Sequence, residues 1–446
     1  MNNELKPYDE YKESGMDWIG KIPSHWNICR NKSIFKEINL KSDNGLEELL
    51  CVSQYTGVTK RKNRVSVGKG LLTNAETLVG YKKVSKDDLV MNIMLAWNGS
   101  LGVSKYDGIV SPAYCIYRMS KKQNSYYFHY LLRTNMFTGI FKTLSTGVID
   151  SRLRLYPDSF FRLYSIVPPL DEQDQIVKYL DFQLAKINKF IKSKKKLIEV
   201  LKEQKQAVIN EAVTKGINPN VKMKPSGIEW LGDIPEHWVK CKLKHLGKFK
   251  SGEGITSLEI DKKGEYPVYG GNGLRGYFNK YTHDGSYLLI GRQGALCGNI
   301  HLVRGKFWAS EHAVVVTTNA NVDIYWAEYL IETMNLNKYS QSAAQPGLAV
   351  EKIINIYTIL PPIAEQQKIV EYVKQRIEVV DKSIYVIEKE IELITEYRTC
   401  LISDVVTGKV DVRHIEIDNI IEEDTEIDEI EDEETDKDEI LDNEDE

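Results

Sequence analysis

Apolar residues recur at alternating spacings of four and three from residue 168 to 214, and the same rhythm returns 193 positions later. The first run uses Leu180, Leu184, Ile187, Ile191, Ile198, Leu201, Val208 and Ala212, with Lys194 and Lys205 as breaks. The second uses Val373, Ile377, Val380, Ile384, Ile387, Ile391, Ile394, Leu401 and Val405, with Arg398 as its interruption. A 4-3 repeat held over several heptads predicts a coiled-coil helix. Each run follows a double proline, in Pro168-Pro169-Leu170-Asp171-Glu172-Gln173 and Pro361-Pro362-Ile363-Ala364-Glu365-Gln366. Proline stops a strand and pre-sets helical φ, and Glu172 and Glu365 stand where a helix N-terminus favours negative charge. Each helix of roughly 44 residues would extend about 66 Å.

The helices are one part of a larger duplication. Ser14-Gly15-Met16-Asp17-Trp18-Ile19-Gly20-Lys21-Ile22-Pro23-Ser24-His25-Trp26 returns at an offset of 212 as Ser226-Gly227-Ile228-Glu229-Trp230-Leu231-Gly232-Asp233-Ile234-Pro235-Glu236-His237-Trp238. Head motif, variable middle and long helix therefore occur twice, and the second middle is 19 residues shorter. Repeats that keep their ends and diverge between them suggest a fixed frame carrying two different working surfaces.

Both middles read as mixed α+β. In the first, 48–54, 88–96 and 109–118 predict strands and 125–136 a helix. In the second, 265–269 and 274–279 predict a hairpin around Gly270-Gly271-Asn272-Gly273, with strands at 287–290 and 313–316 and a helix at 325–333. The expected boundaries are a first domain over 1–167, a helix over 168–214, a linker over 215–225, a second domain over 226–360, a helix over 361–411 and a tail over 412–446. Chain order favours antiparallel helices with the domains at opposite ends. Charge agrees, since 186–205 carries +6 and 379–398 carries -2.

Net charge changes the picture of partners. The formal value of -5 averages two regions: 415–446 holds nineteen acids and one Lys, which leaves the preceding residues at +13. A basic body favours a polyanion such as DNA. The acidic tail reads as disordered and solubilising. The six cysteines form no Cys-x-x-Cys pair, which favours reduced thiols and a cytoplasmic setting over disulfides or zinc. No apolar run reaches the roughly 18 residues of a membrane span, and 1–9 lack the apolar stretch of a signal peptide. No metal or cofactor is expected.

Candidate contacts follow from residue type. Lys60, Arg61, Lys62 and Arg64, beside Gln54 and Tyr55, combine phosphate-neutralising cations with side chains that can read bases. A plain solvated basic loop is the alternative. Asn272, Arg275, Arg292 and Gln293 lie in or beside glycine-rich turns that let a backbone approach phosphate, against the plainer reading of hairpin turns. Asn98, in Trp97-Asn98-Gly99, marks a loop tip, and Trp308 with His312 is placed beside a groove; a buried aromatic cluster explains both equally well. Trp18, Trp26, Trp230 and Trp238 recur in both copies, where targets should differ, so packing explains them better than base stacking. His25 and His237 have no second ligand at metal spacing and read as structural.

Catalytic signatures are missing. There is no Asn-Pro-Pro-Tyr-type loop, no glycine fingerprint for S-adenosylmethionine and no Gly-Lys-Ser/Thr phosphate loop. Asp158 and Asp261-Lys262-Lys263 fall in different domains and assemble no nuclease site.

The two head motifs with the two Pro-Pro-x-x-Glu-Gln helices resemble the specificity subunit of type I restriction-modification systems, over nearly the whole chain to about residue 412. The first middle also resembles one recognition-domain subtype through 52–58 and 107–114, and the second another through 269–273 and 290–294. The resemblance implies two target-recognition domains joined by two long antiparallel coiled-coil helices in a pseudo-twofold tandem arrangement. It implies that each domain reads half of a bipartite site in double-stranded DNA. It also implies helices that act as ruler and as platform for methyltransferase subunits, with restriction/translocase subunits as further partners and no active site in this chain. A nuclease or methyltransferase with duplicated DNA-binding domains, and a coiled-coil adaptor for proteins, are the alternatives. Activity of the isolated chain would select the first; indifference to specific duplex DNA would select the second.

Overall fold

The computed structural model describes residues 5–61, 77–120, 122–149, 152–294, 297–340 and 347–417. Four helices carry the argument: α1 (Ser125–Leu132), α2 (Leu170–Lys215), α3 (Ile324–Thr333) and α4 (Ile363–Val406). The chain divides into two compact units, 1–192 with 390–446, and 193–389. Each unit therefore takes half of each long helix.

In the first unit, Ile176, Leu180, Leu184, Ile187 and Ile191 of α2 share a core with Leu401 and Val405 of α4. In the second, Ile209, Ala212 and Val213 of α2 share a core with Ile369, Val370 and Val373 of α4. The start of one helix lies beside the end of the other in each unit, so the pair runs antiparallel. The heptad reading shifts at Val208. Ile209, Ala212 and Val213 are buried there, while Val208 is only partly covered. A helix of 3.6 residues per turn drifts off a 3.5 repeat, and here the apolar face turns into a core that the domain shares with the partner helix. Lys205, a break in the repeat, reaches across to Asp381 of α4 with N–O distances of 2.7 and 3.0 Å.

The first unit contains a four-stranded antiparallel sheet in the order Phe35–Ile38, Tyr114–Met119, Leu89–Asn92, Leu101–Val103. Three local readings change. The 88–96 strand ends at Asn92, whose Oδ1 accepts the Met94 N–H at 3.0 Å and turns the chain. The 109–118 strand is split by a turn at 111–113 into Gly108–Val110 and Tyr114–Met119. The 125–136 helix ends at Leu132 and another starts at Asn135, because Thr134 is extended and donates its hydroxyl to the Leu131 carbonyl at 2.8 Å.

The second unit holds a six-stranded sheet in the order Gly247–Ser251, Ala313–Thr318, His283–Gly291, Ile300–Ala309, Tyr266–Gly270, Gly273–Phe278. All neighbours are antiparallel except Tyr266–Gly270 beside Ile300–Ala309. Among the described residues, the largest sheet of the first middle has four strands beside two separate pairs, Leu50–Ser53 with Gly57–Lys60 and Lys82–Val84 with Gly108–Val110. The second has one sheet of six with a parallel pair, so the two middles have diverged.

The frame around them has not diverged. In both copies the strand after the head motif pairs with the strand before the double proline: Asn27–Arg30 with Tyr164–Val167, and Val239–Lys242 with Tyr357–Leu360. Trp26 and Trp238 are fully buried, as their recurrence in unlike domains implied. Each long helix ends at a glycine with left-handed φ, Gly216 at +79° and Gly408 at +78°. A Cβ on Gly216 would lie 3.3 Å from the Trp238 ring, and one on Gly408 would lie 2.9 Å from Trp26 and 2.5 Å from Pro23. The chain after α4 thus meets the head motif of the first copy, as the linker after α2 meets that of the second. The Asp411 N–H donates to the Lys6 carbonyl at 2.8 Å, joining without a peptide link what 216–225 joins covalently.

Candidate nucleic-acid interface

The frame fixes where each domain begins. In the first unit, Gln173 Nε2 donates to the Pro168 carbonyl at 2.8 Å, and its Oε1 accepts the Asn124 N–H at 3.0 Å. Asn124 in turn caps α1 by accepting from Tyr126 and Tyr127. In the second, Gln366 bonds the Pro361 carbonyl at 2.8 Å and the Asp323 N–H at 2.8 Å, and Asp323 caps α3. His25 lies 2.8 Å from Glu172, and His237 lies 2.7 Å from Glu365. The Pro-Pro-x-x-Glu-Gln motif is thus the bolt between helix and domain, with Glu gripping the head motif and Gln the cap. Sequence reading assigned Glu to the helix dipole alone and did not find the two cap residues.

Among the first-unit candidates, Gln54 and Tyr55 occupy the turn after Leu50–Ser53. Arg133 holds that turn from below. Its guanidinium donates to the Leu101 carbonyl at 2.6 Å, Gln54 at 2.7 Å, Tyr55 at 2.9 Å and Ser53 at 3.4 Å. Burial, helped by repulsion from Arg398, brings its pKa down to about 10. Beside it, His129 Nδ1 accepts the Val103 N–H at 3.1 Å, and burial holds its pKa well below the usual imidazole range. Arg133 was not found from sequence, since a lone Arg after a helix carries no signal of the carbonyls it gathers. Tyr55 is 39% exposed. Lys60 is exposed, 4.0 Å from Glu48, with its ammonium 5.2 Å from the centre of the Tyr106 ring. Arg61 follows it with its N–H bonded to the Leu49 carbonyl at 2.9 Å. Lys62 and Arg64 lie outside the described residues. Asn98 Oδ1 accepts from Ser100 Oγ at 2.9 Å and Ser100 N at 3.3 Å, which closes the loop 98–100. Trp97 is likewise tied down, donating to the Met94 carbonyl at 3.0 Å.

The second-unit candidates converge at one end of the six-stranded sheet. Asn272 and Arg275 are exposed on the hairpin turn and the strand that follows it. A Cβ on Gly271 would come 2.9 Å from the His312 carbonyl oxygen and 3.3 Å from that of Gln293, so glycine lets the three loops close together. Arg292 donates to Ser251 Oγ at 3.0 Å, and its N–H bonds the His312 carbonyl at 2.8 Å. Gln293 Oε1 lies 2.7 Å from His312 Nδ1. The hairpin is present as read, and the four candidates share one loop cluster in which Asn272, Arg275 and Gln293 are exposed. Trp308 donates to the Glu253 carbonyl at 3.3 Å and packs edge-on to Phe278. Among the described residues no group of three or more His, Cys, Asp or Glu is placed to hold a metal ion, and no helix is long and apolar enough to cross a membrane.

A duplicated frame of antiparallel helices, each bolted to its own unlike sheet domain, defines a class of protein with two different domains on one repeated frame. The family model of the type I restriction modification DNA specificity domain matches residues 235–394. The type I restriction enzyme EcoprrI specificity subunit of Escherichia coli is 46% identical over 138 residues, which is 29% of this chain and 34% of that protein. The type I restriction enzyme MjaVIII specificity subunit of Methanocaldococcus jannaschii is 24% identical over 436 residues, covering 89% and 95%. This chain therefore spans about a third of the first relative and nearly all of the second. A chain in the solved structure "Structural basis underlying complex assembly and conformational transition of the type I R-M system" shares the fold with a TM-score of 0.65 at 12% identity, covering 87% of this chain and 99% of that one. Residues 235–394 thus match the specificity-domain model, and over most of its length the chain is similar to type I restriction enzyme specificity subunits.

Proposed function

We propose that the chain binds double-stranded DNA, reads one half of a bipartite target with each sheet domain, and directs partner methyltransferase and restriction/translocase subunits to that target. It supplies recognition and leaves catalysis to the partners, in the cytoplasm. The observation that carries this is the contrast between frame and middle. Residues at the helix–domain bolt repeat down to individual hydrogen bonds, while the sheets they carry differ in strand number and direction. A frame repeated so closely around unlike surfaces serves a task done twice on two different sequences.

In the first domain the reading elements are the turn with Gln54 and Tyr55, Asn98, and the basic segment of Lys60, Arg61, Lys62 and Arg64. In the second they are Asn272, Arg275, Arg292 and Gln293. Base-edge contacts from Asn, Gln and Arg supply specificity, and Lys and Arg contacts to phosphate supply most of the affinity. Expression of the full chain with its partner subunits, followed by sequencing of methylated adenines, tests the reading. A bipartite motif with an unread spacer is expected; one continuous motif, or methylation without sequence preference, overturns it. The boundaries 1–167, 168–214, 215–225, 226–360, 361–411 and 412–446 follow as the working division, with the long helices setting the spacer. Removing four residues, about one turn, from α2 should shorten the unread spacer and leave both half-sites unchanged.

A further inference from the structure

The turn Glu311-His312, which joins strand Ile300–Ala309 to strand Ala313–Thr318, touches both Arg292 and Gln293. His312 Nδ1 lies 2.7 Å from Gln293 Oε1, and His312 Nε2 lies 3.2 Å from Glu311 Oε1. Glu311 is itself anchored, since its Oε2 accepts the Ile255 N–H at 3.2 Å. Ser251 Oγ donates to the Glu311 carbonyl at 3.3 Å and accepts from Arg292 Nη1 at 3.0 Å. Ile255 N–H, Glu311, His312 and Gln293 thus form a line of hydrogen bonds from backbone to an exposed amide.

We propose that His312 is a positioning residue for base reading: it fixes which edge of the Gln293 amide faces the DNA, and Glu311 fixes His312. The inference rests on the reading of Gln293 as a base-contacting residue. The physical argument is that an amide presents a donor on one side and an acceptor on the other, and those are the two groups that distinguish base edges in the major groove. Turning the Gln293 amide over exchanges them. With Oε1 facing His312 Nδ1, the amino group points away from the turn and the oxygen keeps one lone pair for an incoming donor, an arrangement suited to an adenine edge. A carboxylate and an amide oxygen can only accept, so both ring nitrogens donate, Nε2–H to Glu311 and Nδ1–H to Gln293. The ring in this line is the doubly protonated form, which Glu311 also stops from turning over. Gly271, whose missing side chain leaves room beside the His312 and Gln293 carbonyls, lets the hairpin turn close on this line without displacing it.

The test uses the full chain with its partner subunits and reads the methylated motif position by position. His312→Leu and Glu311→Gln are expected to relax preference about tenfold at one position of the second half-site, while the first half-site stays unchanged and reports a folded, assembled complex. His312→Asn, whose amide nitrogen can take the place of Nδ1, is expected to restore the preference; a purely structural role would not be rescued this way. Gln293→Ala separates the two levels of the argument. A motif unchanged by Gln293→Ala removes Gln293 as a base reader and the inference with it. A motif relaxed by Gln293→Ala but untouched by His312→Leu overturns the positioning role alone. Equal loss at every position of both halves also overturns it.

Discussion

His25 Nε2 stands 2.8 Å from Glu172 Oε2, joining the head motif of the first copy to the first turn of its long helix. The same carboxylate accepts the Tyr8 hydroxyl and lies 3.9 Å from Arg413, so residues from both ends of the described chain meet on it. Its side chain is 3% exposed, whereas its counterpart Glu365, on His237, is 22% exposed. Identical motifs therefore sit in unequal surroundings, and the inequality is measurable.

Glu172→Ala strands a phenol, an imidazole and a guanidinium around an apolar gap. Removing one member of a buried charged cluster costs about 3 kcal/mol, and removing a half-solvated hydrogen bond about 1 kcal/mol. Hydrogen exchange should show the first turns of α2 loosened by the larger amount in Glu172→Ala, and the first turns of α4 by the smaller in Glu365→Ala. Equal effects would contradict the burial difference.

Gly408→Ala should be costlier than Gly216→Ala. Both glycines have left-handed φ, which costs a residue with a side chain about 1 kcal/mol. At Gly408 the new methyl would also fall 2.5 Å from the Pro23 ring, while at Gly216 the nearest atom is at 3.3 Å. Overpacking adds about 1–3 kcal/mol. Thermal unfolding should separate the variants by several degrees, with Gly408→Ala the lower.

Acid should loosen the first sheet where His129 meets it. Burial holds the His129 pKa well below its ordinary value. The ring is then neutral in the folded unit and protonates more readily when unfolded. The unfolded state binds more protons between the folded pKa and about 6.5, so stability rises with pH across that window and falls as pH drops below about 6.5. Amide exchange at Leu101–Val103, corrected for intrinsic rate, should be faster at pH 5.5 than at pH 7.5. His129→Gln should flatten that difference.

Arg133→Met should damage reading of the first half-site and spare the second. Four carbonyls lose their donor, including those of Gln54 and Tyr55. Hydrogen bonds from a charged donor are worth about 1.5–3 kcal/mol each, so release of the turn should lower methylation of the target at least tenfold. A half-site read with undiminished preference would show that the turn does not read DNA.

Sequence alone determined the duplication, the two long helices and the mixed domains between them. Periodicity is a local property, and a repeated motif needs no coordinates to be seen. The placement of Trp26 and Trp238 in the core followed as well, because a residue kept in two copies with unlike middles serves what the copies share. The heptad reading slipped at Val208, where Ile209, Ala212 and Val213 take over the buried face in a core shared by the domain and the partner helix.

Tertiary structure decided the rest. Gln173 and Asn124 lie 49 positions apart, Gln293 and His312 lie 19 apart, and Arg133 reaches back nearly 80 residues to the turn it supports. Hydrogen bonds of that kind depend on which loops the sheet brings to one edge, and no spacing rule encodes them. Local pattern settles which elements form, because each residue's own backbone and neighbours set the period. Which side chains then share a surface depends on packing across the whole fold, and that is where the candidate reading sites and their supports were found.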